Sequence, residues 1–204
     1  LAHMLALAGP AAATLAALLA ERDPLRGAPA DLALRLEAVR DPDGFAADHH
    51  HRIDRGVIQR IRTEARRLAR LVRTGVAGHS TAEMLALAYP DRIGQRRPGE
   101  APRYILSGGT GAIADAADPL GRAPWIVASD LDGDRREARL RQGIEIDEGA
   151  LRRLFADQIV RVDTCVWSRR DGRVQARRQD RLGALVLSDQ PWADAPADAI
   201  ARAA

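Results

Sequence analysis

Between Asp48 and Arg73 the chain reads DHHHRIDRGVIQRIRTEARRLARLVR, and its arginines are the residues best placed to do chemistry. At about 100° per residue, a helix here puts Ile53, Val57, Ile61, Ala65, Leu68 and Val72 on one arc. Arg52, Arg55, Arg60, Arg62, Arg66, Arg67, Arg70 and Arg73 fall on the other, while the acids Asp54 and Glu64 lie on the apolar side or its edge. A solvated helix face ordinarily mixes Glu with Arg, because like charges one turn apart repel. An arginine face without a facing acid accepts that repulsion, and phosphates would relieve it. The expected chemistry is sequence-independent contact with a nucleic-acid backbone. The competing expectation is that acids elsewhere in the protein pair with these arginines.

The remaining constellations are weaker. Asp48 to His51 offers imidazoles, but neighbours at a helix start point in different directions, whereas metal ligands need spacing such as i, i+4. A solvated first turn is expected. SGGTGA (107–112) has the glycines of a phosphate loop without its Lys and Ser/Thr, so it reads as a turn. DLDGDRREARLR (130–141) starts like a calcium loop, yet Gly133 comes too early and Arg141 stands where a bidentate Glu is needed. No Ser/His/acid or Cys/His set is suggested, so no catalysis by this chain alone is expected. A second basic group, Arg161, Arg169, Arg170, Arg173, Arg177, Arg178 and Arg181, stands against Asp163, Asp171 and Asp180. Strand-binding surfaces add aromatic platforms to such charge, and Trp167 and Trp125 are the nearby candidates.

The elements that must position these residues change character at Pro90. Before it the chain reads as helices: 11–21, stopped by Pro24 and Gly27; 30–39, with Asp31 as N-cap; the long helix 48–73, ended by Gly75 and Gly78; and a short one begun by a Ser80/Glu83 capping box. RDPDG (40–44) reads as a turn. After Pro90, alternation predicts strands at 103–107, 124–131, 137–146, 159–168 and 173–188, with a hairpin at Asp171-Gly172. One helix, 147–157, interrupts them under an Asp147 cap. Five strands and one helix suit a small OB-like Greek-key barrel. The expected class is α+β: a helical bundle over 1–90, an OB-like β-barrel with one inserted helix over 91–190, and the start of a further segment over 191–204.

Composition bounds the functions. The 204 residues are 46% apolar, enough for a core, but only 3% aromatic. The 31 basic residues are all Arg, a codon-biased composition, and the net charge is only +3. Placement of arginine therefore matters more than its number. Cys165 stands alone, which excludes a disulfide framework and suits a reducing cytoplasm. The Ala-rich opening lacks a basic n-region and carries His3 and Pro10, so a helix pair broken at Gly9-Pro10 is expected instead of a membrane span. The first residue is Leu, which fits a piece of something longer.

LAALLAERDPLRG (15–27), ADLALRLEAVR (30–40), LALAYPDRIGQRR (85–97), DPLGRAPWIVASDLDG (118–133) and RRQDRLGALVLSDQP (177–191) resemble, in order, the bacterial HrpB family of DEAH-box ATP-dependent RNA helicases. The resemblance implies the part after the motor: helical bundle, OB-like domain and the start of the C-terminal region. RecA-like motor domains in the same polypeptide would lie upstream and would carry ATP and Mg. This chain itself would need no cofactor. It would act as a monomer that helps clamp single-stranded RNA. In such helicases YPDRIGQRR marks the junction of bundle and barrel, where Pro90 ends the helix. The expected nucleic-acid contacts are Arg55, Arg62, Arg66, Arg70, Arg73, Arg92, Arg96, Arg97, Arg177 and Arg178. The alternative is an interaction module whose basic face docks on acidic partners.

Overall fold

Side-chain caps set where most of the helices begin. The computed structural model describes residues 1–72, 75, 78–133 and 137–203. The apolar opening forms α1 (Ala2–Ala8), a 3₁₀ turn over Gly9–Ala12 that contains Pro10, and α2 (Ala13–Ala20). Ala2–Ala20 is long and apolar enough to cross a membrane, but half of it is buried, with Met4, Ala12 and Leu15 in the core. The two-residue strand β1 (Leu25–Arg26) leads to α3 (Leu32–Arg40), whose Asp31 side chain accepts from the Ala33 N–H. α4 (Pro42–Asp48) follows, then β2 (Arg52–Ile53), α5 (Arg55–Leu71) and α6 (Thr81–Ala88).

Two expectations fail here. RDPDG is not a plain turn: Asp41 accepts from the Gly44 N–H and Pro42 occupies the first helical turn, so a helix starts there. The long helix also begins seven residues later than the periodicity predicts. Arg52 and Ile53 pair with Arg26 and Leu25 as a short ladder, and Asp54 then caps α5 by accepting from Val57. Pairing with a distant segment overrides the local helical pattern. The expected Ser80/Glu83 capping box is present in full.

Past a 3₁₀ turn at Pro90–Arg92, β3 (Ile93–Arg96), β4 (Arg103–Leu106), β5 (Gly111–Ile113), β6 (Trp125–Leu131) and β7 (Glu137–Glu145) close into a barrel of order β3-β4-β5-β7-β6. All the pairings are antiparallel except β5 with β7. The barrel is consistent with an OB-like fold. Tyr104, wholly buried, shares its hydroxyl proton between the carbonyls of Leu120 and Ala123 at 3.0 and 2.9 Å, and burial pushes its pKa up to about 12.

The membership of that barrel corrects the sequence reading. α7 (Glu148–Leu154), capped by Asp147, follows the last barrel strand and is not inserted among them. It leads to β8 (Val160–Ser168), β9 (Arg173–Leu182) and β10 (Leu185–Pro191), which form a separate antiparallel sheet of order β10-β9-β8. The predicted strand 173–188 is two strands, because Gly183 turns the chain at φ +57°. The barrel instead recruits β3 and β5, four and three residues long and glycine-containing, too short to show alternation. α8 (Ala197–Ala203) ends the described chain.

Barrel, helices and sheet share apolar contacts. One cluster of buried side chains runs from Met4, Leu15, Phe45 and Ile61 through Leu85 to Ile93, Trp125, Val127, Leu151, Leu182 and Leu185. At the seam between barrel and sheet, the Gln95 amide donates to the Val186 carbonyl at 2.9 Å and Arg152 donates to that of Leu187 at 2.8 Å.

Candidate nucleic-acid interface

α5 buries Val57, Ile58, Ile61 and Ala65 and turns its arginines outward, as the pattern predicts. What the pattern could not supply is the set of acids that other elements bring to that face. Arg55 meets Asp43 of α4 at 2.6 Å, and Arg60 meets Glu21, just after α2, at 2.7 Å. Arg67 forks onto Glu64 of its own helix at 2.7 and 2.8 Å. The guanidinium of Arg60 holds the Glu21 carboxyl below its ordinary range, and Arg67 does the same to Glu64. The expectation of an arginine face without acids is therefore wrong for Arg55, Arg60 and Arg67.

The run from Arg62 to Arg70 keeps its charge. Arg62, Arg66 and Arg70 follow one another at i, i+4 spacing, and among the described residues none of them touches a carboxylate. Beside them lies a cleft of about 630 Å³ between α2, α3, α5 and α6. Leu15, Leu36, Val39, Ala65 and Met84 form its walls and Arg40, Arg62 and Arg66 its charged lip; among the described residues no carboxylate lines it. Arg62 has a structural duty as well: it donates to the Val39 and Arg40 carbonyls at 2.7 Å each, closing the open C-terminus of α3. Its charge remains at the lip. Arg40 was missed by sequence reasoning, because a last-turn arginine there reads as a complement to the helix dipole.

The other expected contacts scatter. Arg92 lies over the Tyr89 ring at 4.5 Å and donates to the Ser129 carbonyl, and Arg96 donates to the Gly121 carbonyl, so both tie the junction together. Arg97 is exposed; with Arg96 it lines a smaller cleft of about 380 Å³ that also holds Glu148. Arg177 is paired with Asp189 at 2.9 Å, and Arg178 with Asp163 at 3.0 Å and the Trp192 ring at 5.5 Å. Hydrogen bonding from Arg178 holds Asp163 below its ordinary range. These two arginines are neutralised within the sheet and do not form an open anion site. Arg73 lies outside the described residues.

SGGTGA forms the tight turn between β4 and β5, with the Ser107 hydroxyl donating to the Pro90 carbonyl and its own carbonyl taken by the Ala184 N–H. That turn is committed to the seam and does not fit a nucleotide phosphate. Among the described residues no group of His, Cys, Asp and Glu could hold a metal ion.

The described chain thus combines helices, a closed OB-like barrel, a charged cleft and a docked three-stranded sheet. Known proteins resemble it. The description "ATP-dependent RNA helicase HrpB, connector region" matches residues 158–192, the sheet and its approach. The ATP-dependent RNA helicase HrpB of Escherichia coli (strain K12) is 34% identical over 135 residues, 65% of this chain and 17% of the relative. The crystal structure of the E. coli DExH-box NTPase HrpB superposes with a TM-score of 0.67 at 31% identity, covering 95% of this chain and 22% of that one. A second, of the E. coli DEAH/RHA helicase HrpB, gives 0.66 at 29% identity and again 22% of its length. The chain is similar to a C-terminal part of HrpB helicases and spans about a fifth of the length of the relatives it matches.

Proposed function

We propose that this region is the non-catalytic, RNA-contacting accessory part of an ATP-dependent helicase, holding a single strand along the acid-free lip of α5 for a motor in the same polypeptide. The observation that supports it is the asymmetry of α5. Arg55, Arg60 and Arg67 are matched by Asp43, Glu21 and Glu64, whereas Arg62, Arg66 and Arg70, with Arg40 at the end of α3, keep mutual repulsion that a phosphate backbone would relieve. Phosphate contacts position a strand without reading its sequence, so base preference should be slight. Residues 1–90 act in this reading as a helical bundle. In this reading ATP and Mg belong to the motor.

The apolar walls of the cleft favour a second reading, in which a protein segment with acidic flanks docks there. Reversing Arg40, Arg66 and Arg70 to Glu separates the two, and spares Arg62 because of its bond to α3. The expected result is weaker binding of single-stranded RNA of every sequence. Its log–log salt dependence should be shallower by roughly two units, at about 0.7 for each phosphate no longer neutralised. Unchanged RNA affinity in a folded triple variant overturns the RNA reading and leaves the cleft a docking or merely solvated surface.

A further inference from the structure

The hairpin between β8 and β9 ends in a second feature with the chemistry of a strand contact. Its four-residue turn, Arg169–Gly172, closes with the Gly172 N–H donating to the Ser168 carbonyl at 2.9 Å, Gly172 taking φ +60°. Next to the turn, Val166 and Trp167 are 62% and 45% exposed, though tryptophan more often hides its ring. Trp167 stands opposite Val174 in the ladder, so the two share a face of the hairpin.

Charge at this end is predominantly positive, three arginines to the one carboxylate of Asp171. Arg169, Arg170 and Arg173 are exposed, and among the described residues none pairs with an acid. The carboxylate within reach, Asp171, is already engaged: it accepts from the Ser168 hydroxyl at 2.8 Å and from the Gln175 amide. Further down the same hairpin the pattern reverses, with Arg178 on Asp163 and Arg177 on Asp189. Unmatched guanidinium groups are thus concentrated where the exposed indole stands. An aromatic face flanked by cations suits a base and its neighbouring phosphates, since stacking and phosphate neutralisation together hold single strands. An acidic peptide would use the arginines but has less need of the ring.

We propose that the end of this hairpin is a separate contact for single-stranded nucleic acid, with Trp167 stacking on a base and Arg169, Arg170 and Arg173 on the flanking phosphates. It rests on the reading that this region holds a single strand, but on residues remote in sequence from the α5 cleft.

The test uses the whole chain with a fluorescein-labelled oligouridylate and an abasic oligomer of equal length. Trp167→Ala should weaken oligouridylate about five-fold or more and leave the abasic oligomer unaffected, because only a base can stack. Reversing Arg169, Arg170 and Arg173 to Glu should weaken both oligomers and flatten the salt dependence. Crosslinking with 4-thiouridine should recover the peptide containing Trp167, and should still do so when Arg40 and Arg66 of the cleft and the neighbouring Arg70 are reversed. Equal oligouridylate affinity for wild type and Trp167→Ala overturns the stacking role. Unchanged affinity in the folded arginine variant overturns the site. Failure of the cleft variant alone strikes the α5 reading and not this one.

Discussion

At the scale of single residues, the arginines of this chain divide by what their fork finds. Arg35 is 2% exposed and is held by both oxygens of Asp23, at 2.9 and 3.3 Å, and by the carbonyls of Pro29 and Asp31. It fixes the loop before α3. Replacing it with Met should destabilise the chain by about 3 kcal/mol, the lower end for breaking a buried pair, because Asp23 keeps partial access to water. Arg35→Lys should recover little, since an ammonium cannot span a carboxylate and two carbonyls in one plane. Urea unfolding measures both, and full recovery by Lys would mean that charge alone matters there. Arg62 is committed to the end of α3, whereas among the described residues Arg66 and Arg70 meet no carboxylate.

Among the elements, α6 shows how much a short helix depends on its ends. Its eight residues nucleate poorly alone, and Ser80 and Glu83 satisfy each other's orphan backbone N–H groups. Ser80→Ala should cost about 1 kcal/mol. The Ser80 N–H holds the Glu83 carboxyl below its usual range, helped by the Ser80 hydroxyl and Arg153. A carboxyl depressed in the folded state stabilises above its unfolded pKa, and that stability is lost as pH falls through the folded value. Glu83→Gln should therefore be less stable than wild type at neutral pH, and the gap should close in the acid range. Thermal melts across pH 3–7, on the order of the usual glutamate titration, check it. A gap that stays constant would remove the charge from the explanation.

For the whole molecule, one buried cluster joins Met4 to Leu185 through Ile93 and Trp125 beside a second cluster inside the barrel, so parting helices from barrel would expose apolar surface. Unfolding should be one transition. In a background carrying Trp167→Phe and Trp192→Phe, the fluorescence of Trp125 should report the barrel and far-UV dichroism the helices, and the two curves should coincide. The sheet is joined more narrowly. Gly183 lies at φ +57° against the Ser107 carbonyl, and Ala184 donates to that same oxygen at 2.9 Å. Gly183→Ala adds a methyl where both backbone conformation and neighbour exclude it, and should cost at least about 1 kcal/mol. Hydrogen exchange at Ala184 should accelerate in that variant, and unchanged protection would show that the turn yields without leaving the barrel.

The sequence by itself determined the elements whose causes are local. Caps at Asp31, Ser80 and Asp147 act within three residues, the stripe Val57-Ile61-Ala65 needs only helical period, and Asp171-Gly172 turns a hairpin on its own dihedrals. Enough of that local code persists for the resemblance to HrpB to be legible block by block. Tertiary structure alone decided which strands close the barrel, because β3 and β5 are too short to signal themselves and are fixed by partners far along the chain. It also decided which arginines remain available. Charge is carried by a residue, but neutralisation depends on what arrives through space. Glu21 reaches Arg60 across 39 positions and Asp189 reaches Arg177 across 12, while among the described residues nothing acidic comes to Arg66, Arg70 or the hairpin's Arg169.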